Sequence, residues 1–149
     1  NDLSKFISFK LQLDYGIVAT APSMDGFASV GAALITHDLK TTYDCHVPTA
    51  IFGDLNVLAN APLEMIKAGL GGIVGKYSCL VDWKISHIIN EEYYCPTIVE
   101  MVYKSIQEVV ENADGVLKRD KKAVKAITEA LIETGMAMGF VGNSTGFRK

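Results

Sequence analysis

No stretch of this chain approaches the roughly 18 consecutive apolar residues that a membrane-spanning helix needs, so no such helix is expected. The net charge is −3 and no basic stripe breaks it, which removes the electrostatic footprint of a nucleic-acid binder. Cysteine is scarce: Cys45, Cys79 and Cys95 are odd in number and far apart. A disulfide framework is therefore not expected, and a reducing cytoplasm fits best. His37, His46 and His87 form no close metal-ligand pattern with these cysteines, so each reads as a surface or packing residue. An initiator Met and a signal-peptide profile are also lacking, and the start at Asn1-Asp2 reads as a piece of a longer chain.

The composition is that of a globular protein: 149 residues, 49% apolar and 21% charged, enough for one hydrophobic core. Apolar spacing predicts the end of a helix over Ser4–Leu11 and a buried strand over Tyr15–Ala19. Gly31–Ile35 and Thr41–Cys45 flank the polar His37-Asp-Leu-Lys40 as a hairpin, and Ala50–Phe52 reads as another short strand. Helices are predicted over Pro62–Ala68, over Gly71–Ile89, and from Pro96 to a stop at Asp114-Gly115. A last helix follows Asp120 as N-cap, with Val124, Ile127, Leu131 and Met138 on its apolar stripe. The fold class is thus α/β followed by all-α, dividing near residue 55 into residues 1–55 and 56–149.

The segment between the first strand and the hairpin carries the chemistry. Thr20 and Ser23 supply hydroxyls, Pro22 forbids helix, Asp25 supplies a carboxylate and Gly26 permits a turn. In open α/β folds ligands sit beyond the carboxyl ends of strands, so these hydroxyls are placed to donate to phosphate or ribose oxygens. Asp25 can accept from a polyol hydroxyl. The alternative is a plain capped loop, with Ser23 or Asp25 as the N-cap of a following helix.

The run Gly69-Leu-Gly-Gly-Ile-Val-Gly-Lys76 satisfies neither nucleotide motif. A dinucleotide fingerprint needs glycine where Val74 stands, and a phosphate-binding P-loop needs glycine at Leu70 and Ser or Thr at Tyr77. Close packing through small residues is the simpler account. Tyr77, Asp82 and Trp83 read as core or interface, and Lys118-Arg-Asp-Lys-Lys122 as a solvated charge run at a helix start.

Thr20-Ala-Pro-Ser-Met-Asp-Gly-Phe-Ala-Ser29 resembles the Thr-Ala-Pro-Ser-Met-Asp-Gly-Tyr-Ala-Ser segment of the sn-glycerol-1-phosphate dehydrogenase family. That family lies within the iron-containing alcohol dehydrogenase and glycerol dehydrogenase superfamily. The resemblance continues through Val47-Pro48, Ile51 to Leu55, Leu58 to Pro62, Ala68 to Gly71 and Gly75 to Tyr77. It then takes in Asp82-Trp83, Glu92 to Tyr94 and Gly142-Asn143-Ser144.

The resemblance implies a dehydroquinate synthase-like architecture, with the end of a nucleotide-binding α/β domain followed by the first helices of a metal-binding helical domain. It implies NAD or NADP held by Thr20, Ala21, Pro22, Ser23 and Ser29, and a phosphorylated polyol held by Asp25. The implied reaction interconverts dihydroxyacetone phosphate and sn-glycerol 1-phosphate, in the service of phospholipid metabolism, in a cytoplasmic homo-oligomer. Zinc or another divalent metal assists in the family, but Gly72 stands where the family has its aspartate ligand. The family's two histidine ligands follow a Gly-Asn-Ser-Arg-Pro-Ala-Ser-Gly motif, whereas Ser144 here leads into Thr-Gly-Phe-Arg-Lys149. The glycine-rich diphosphate turn is not in this sequence either. Two alternatives stand beside the dehydrogenase: a truncated or degenerate member without catalysis, and a glycerol dehydrogenase-like polyol oxidoreductase. Met24-Asp-Gly26 speaks against the second.

Overall fold

The computed structural model describes residues 1–141; Gly142, Asn143 and Ser144 lie outside the described residues. Helix α1 (Asp2–Leu11) leads into strand β1 (Gly16–Ala19), and the irregular segment carrying Thr20 to Ser29 follows. Next come β2 (Gly31–Thr36), β3 (Leu39–Asp44) and β4 (Ala50–Gly53). The remainder is helical: α2 (Leu55–Ala59), α3 (Leu63–Asn90), α4 (Pro96–Glu111), a 3₁₀ segment (Ala113–Lys118) and α5 (Lys121–Val141).

β1 and β4 pair in parallel, Gly16 opposite Ala50 and Ala19 opposite Gly53. β2 and β3 form an antiparallel hairpin with Thr36 opposite Leu39, so its turn is only His37-Asp38. Both residues have positive φ, 52° and 61°, the type I′ geometry whose twist matches the flanking strands. The hairpin is therefore tighter than the sequence suggests. β1 also departs from expectation, because its burial alternates. Ile17 and Ala19 are buried while Val18 is 72% exposed, and Phe52 on β4 is exposed too. Among the described residues, helices cover only one face of this sheet.

The helical half differs from the sequence reading at four places. α2 was not anticipated; Asp54 caps it by accepting from the Asn56 amide at 2.7 Å. The two helices expected on either side of Gly69–Gly71 are one 28-residue helix, α3. Each helical glycine costs about 1 kcal/mol relative to alanine, but the stripe Ile66, Ile73, Leu80 and Trp83 buries enough apolar surface to carry the helix through them. α4 stops at Glu111, before Asp114-Gly115, and the chain tightens into the 3₁₀ segment. Arg119 is not a solvated charge. Its guanidinium donates to the carbonyls of Ala59 (3.0 Å) and Ala61 (2.5 Å), tying the start of α5 to the end of α2. Asp120 does cap α5, accepting from the Lys122 amide at 2.8 Å.

One hydrophobic cluster joins Ile17 and Ala19 of β1 to Leu58 of α2, to the α3 stripe, to Val102, Ile106 and Val109 of α4, and to Val124, Ile127 and Leu131 of α5. Trp83 is its largest fully buried side chain, and its indole N–H donates to the Tyr93 carbonyl at 2.8 Å. Asp82 and Tyr77 lie outside the core on exposed positions of α3. Among the described residues no helix is long and apolar enough to cross a membrane.

Truncating Trp83 to alanine should cost about 3–5 kcal/mol, the transfer loss plus the cavity left behind. The measurement is urea unfolding followed by circular dichroism. A loss below about 1 kcal/mol would show that the cluster is not the folding core.

Candidate functional site

The Thr20–Val30 segment has no regular secondary structure, and neither Ser23 nor Asp25 caps a helix. It is held instead by contacts from three helices. On α3, a Cβ at Gly69 would lie 1.9 Å from the Pro22 carbonyl oxygen, so glycine alone lets the loop seat there. On α5, a Cβ at Gly135 would lie 2.7 Å from the Asp25 carbonyl oxygen. On α1, the Lys5 ammonium reaches Ser29 Oγ and the Gly31 carbonyl, each at 3.0 Å, and the Gly26 carbonyl at 3.4 Å.

Two clefts flank the loop. The first, 460 Å³, is walled by Thr20, Ala21, Ser23, Met24 and Gly26, with Gly16 and Val18 of β1 beside them. The second, 580 Å³, lies between Asp25 and the exposed glycine face of α3, with Gly72, Gly75, Lys76 and Cys79 on its wall. Ser23 and Met24 belong to both clefts and form the partition between them. The Ser23 amide donates to the Ala21 carbonyl at 3.1 Å, which closes a tight three-residue turn.

The structure brings together most of the residues singled out from sequence. Thr20, Ala21 and Ser23 share the first cleft, and Asp25 stands in the second opposite Gly72. Pro22 is buried, its carbonyl turned to Gly69. Ser29 lines neither cleft; its hydroxyl accepts from Lys5 and donates to the Gly26 carbonyl at 3.4 Å.

Two lysines were not anticipated. The Lys76 ammonium lies 2.7 Å from Asp25 Oδ2, with the lysine side chain 8% exposed. Lys76 falls on the buried stripe between Ile73 and Leu80, and a charge at a core position is the signal that could have found it. Lys5 is fully buried, and loss of hydration pushes its ammonium pKa down. Burial likewise pushes the Cys79 thiol up, so Cys79 presents a neutral wall to the second cleft.

A metal does not fit the residues present. A Cβ at Gly72 would meet nothing within 4 Å, so the position has room for a ligand but supplies none. Asp25 is engaged by Lys76. Among the described residues, no three His, Cys, Asp or Glu side chains gather to hold an ion.

Comparison with known proteins agrees with this architecture. The sequence model of the iron-containing alcohol dehydrogenases matches residues 1–62. Among solved structures, a probable glycerol dehydrogenase from Sinorhizobium meliloti superposes with a TM-score of 0.75 at 19% identity, over 92% of this chain and 42% of that one. Over residues 1–62 the chain is similar to the iron-containing alcohol dehydrogenases. Over nearly its whole length the chain is similar to glycerol-1-phosphate dehydrogenases [NAD(P)+]. That of Halalkalibacterium halodurans is 38% identical over 97% of the chain, and that of Geobacillus thermodenitrificans 37% over the same share. The chain spans 36% of the length of each of these two relatives.

The glycines of α3 provide an internal control. Gly69→Ala should destabilise by about 1–3 kcal/mol, because a carbonyl oxygen must move to admit the methyl group. Gly72→Ala and Gly75→Ala meet open space and should stabilise by about 0.5–1 kcal/mol. Denaturant midpoints of the three variants check this. The same sign for all three would show that the loop does not seat on Gly69.

Proposed function

We propose that the chain is part of an NAD(P)-dependent oxidoreductase that interconverts dihydroxyacetone phosphate and sn-glycerol 1-phosphate. The observation that supports this best is the pair of clefts sharing one partition. A dinucleotide held by Thr20, Ala21 and Ser23 and a polyol held by Asp25 would meet across Ser23 and Met24. Thr20 and Ser23 hydroxyls suit ribose and phosphate oxygens, and either NAD or NADP is compatible with them. When bound, the nicotinamide would accept or return a hydride at the polyol's secondary carbon. Ser29 would act by holding the loop, with its hydroxyl already engaged by Lys5. Asp25, fixed by Lys76, would orient the polyol through hydrogen bonds accepted by its carboxylate.

No step is assigned to a metal, because Gly72 supplies no ligand. This favours a second reading, in which these residues bind nucleotide and polyol without catalysing their reaction. A domain boundary near residue 55 belongs to the same proposal, supported by the change there from strands to helices. A homo-oligomer in a reducing cytoplasm completes the proposal. The exposed Val81, Ile85 and Ile88 of α3 and Val18 and Phe52 of the sheet form apolar faces that favour association.

The 149-residue chain with added zinc should give no measurable NAD(P)H absorbance change with glycerol 1-phosphate or dihydroxyacetone phosphate. Gly72→Asp alone should not bring tight zinc binding in calorimetry, since a lone carboxylate holds zinc far more weakly than a three-ligand site. Protein-dependent turnover by the unaltered chain would overturn the metal argument. In light scattering the chain should run larger than a monomer, and a monodisperse monomer would remove the oligomer from the proposal.

A further inference from the structure

Helix α1 is inside out. Its buried residues are Lys5 and Ser8, while Leu3 (61%), Ile7 (46%) and Leu11 (62%) are exposed. Apolar burial cannot be what fixes this helix against the loop. Polar contacts do so: Asn1 Nδ2 donates to the Gly26 carbonyl at 2.8 Å, while farther along the helix Ser8 Oγ meets Nε2 of His46, after β3, at 3.2 Å. Between them lies the Lys5 ammonium, whose three N–H groups have three acceptors, all on the Gly26–Gly31 stretch. A fully buried ammonium is costly unless every donor is met, and here every donor is met by one short piece of chain.

The stretch it grips begins immediately after Asp25, and Gly26 is itself on the wall of the first cleft. By accepting from Lys5, Ser29 Oγ must direct its own hydrogen elsewhere, and the Gly26 carbonyl receives it. The result is a closed ring of Lys5, Ser29 and Gly26 that sets where the carbonyl side of Asp25-Gly26 can lie. From the other side Lys76 holds the Asp25 carboxylate. Without Lys5, the Gly31 carbonyl and the Ser29 hydroxyl would lose this donor, and the Gly26 carbonyl would be left to Asn1 and Ser29 alone, so the loop would be freer to turn toward water.

We infer that Lys5 is a positioning residue of the binding loop, holding Gly26 to Gly31 so that the walls for nucleotide and polyol are preformed. Its relevance to ligand rests on the function proposed above; its grip on the loop does not. The distinction sets the test, which has a ligand-free arm and a ligand arm. In the free protein, amide hydrogen exchange over residues 23–31 should rise about tenfold or more in Lys5→Met, while α4 and α5 keep their protection. Ser29→Ala removes one acceptor only and should give a smaller rise confined to the same stretch, and it serves if Lys5→Met does not fold. In the ligand arm, NADH titration by fluorescence should show affinity about tenfold weaker in Lys5→Met. Unchanged loop exchange in both variants, or equal loosening of the loop and of α4 and α5, would overturn the inference. Faster loop exchange with no NADH binding by the unaltered chain would sustain the positioning role and remove the nucleotide proposal. Equal NADH affinity in the unaltered and Lys5→Met chains would do the reverse.

Discussion

The closeness of Pro22 to Gly69 governs the rest of the structure. An irregular loop costs backbone entropy at every residue it orders, about 1–2 kcal/mol each, and this loop has no ladder hydrogen bonds to offset that cost. It is seated because α3 presents bare backbone at one position and α5 at another, Gly135. The β1–β4 sheet and the helices consequently share one core, with Ala19 at the end of β1 among the residues joining it. The two clefts exist only because the loop stands between them.

Charge does the remaining work of holding the loop, and it does so from opposite sides. Lys5 and Lys76 are both buried cations, but they solve the desolvation problem differently. Lys76 is paired with a carboxylate, whereas Lys5 relies on two carbonyls and a hydroxyl, with Asp2 at 4.0 Å. The Asp25 carboxylate is therefore oriented before any ligand arrives. Preorganisation of this kind lowers the ordering cost of binding. The cleft wall at Gly72 takes no part in this hold, since a Cβ there would meet nothing within 4 Å.

Much of the fold was legible. The strands, the hairpin, the Asp120 cap and the α4 and α5 stripes follow from periodicity and capping. What escaped is instructive in physical terms. The interval from Ala68 to Gly71 read as a break between two helices because propensity is local, while the burial of Ile66, Ile73 and Trp83 that overrides it is tertiary. α2 was missed because five residues are too few to show a period; its Asp54 cap becomes evident only in the structure. The loop was legible from its residue types as an irregular polar segment, and Thr20, Ala21, Ser23 and Asp25 line clefts. That Ser29 turns to Lys5 could not be read, because the partner lies 24 positions away on another element.

The length of α3 has a mechanical consequence. Its 28 residues form a rod of roughly 40 Å. Ile73, Leu80 and Trp83, all beyond Gly72, fasten it into the core. Past Trp83 only Lys84 to Asn90 remain, about 10 Å of helix, and this short tip carries the exposed Ile88 and Ile89. A load on the tip is therefore taken up by the packed core before it reaches the Lys76–Asp25 wall.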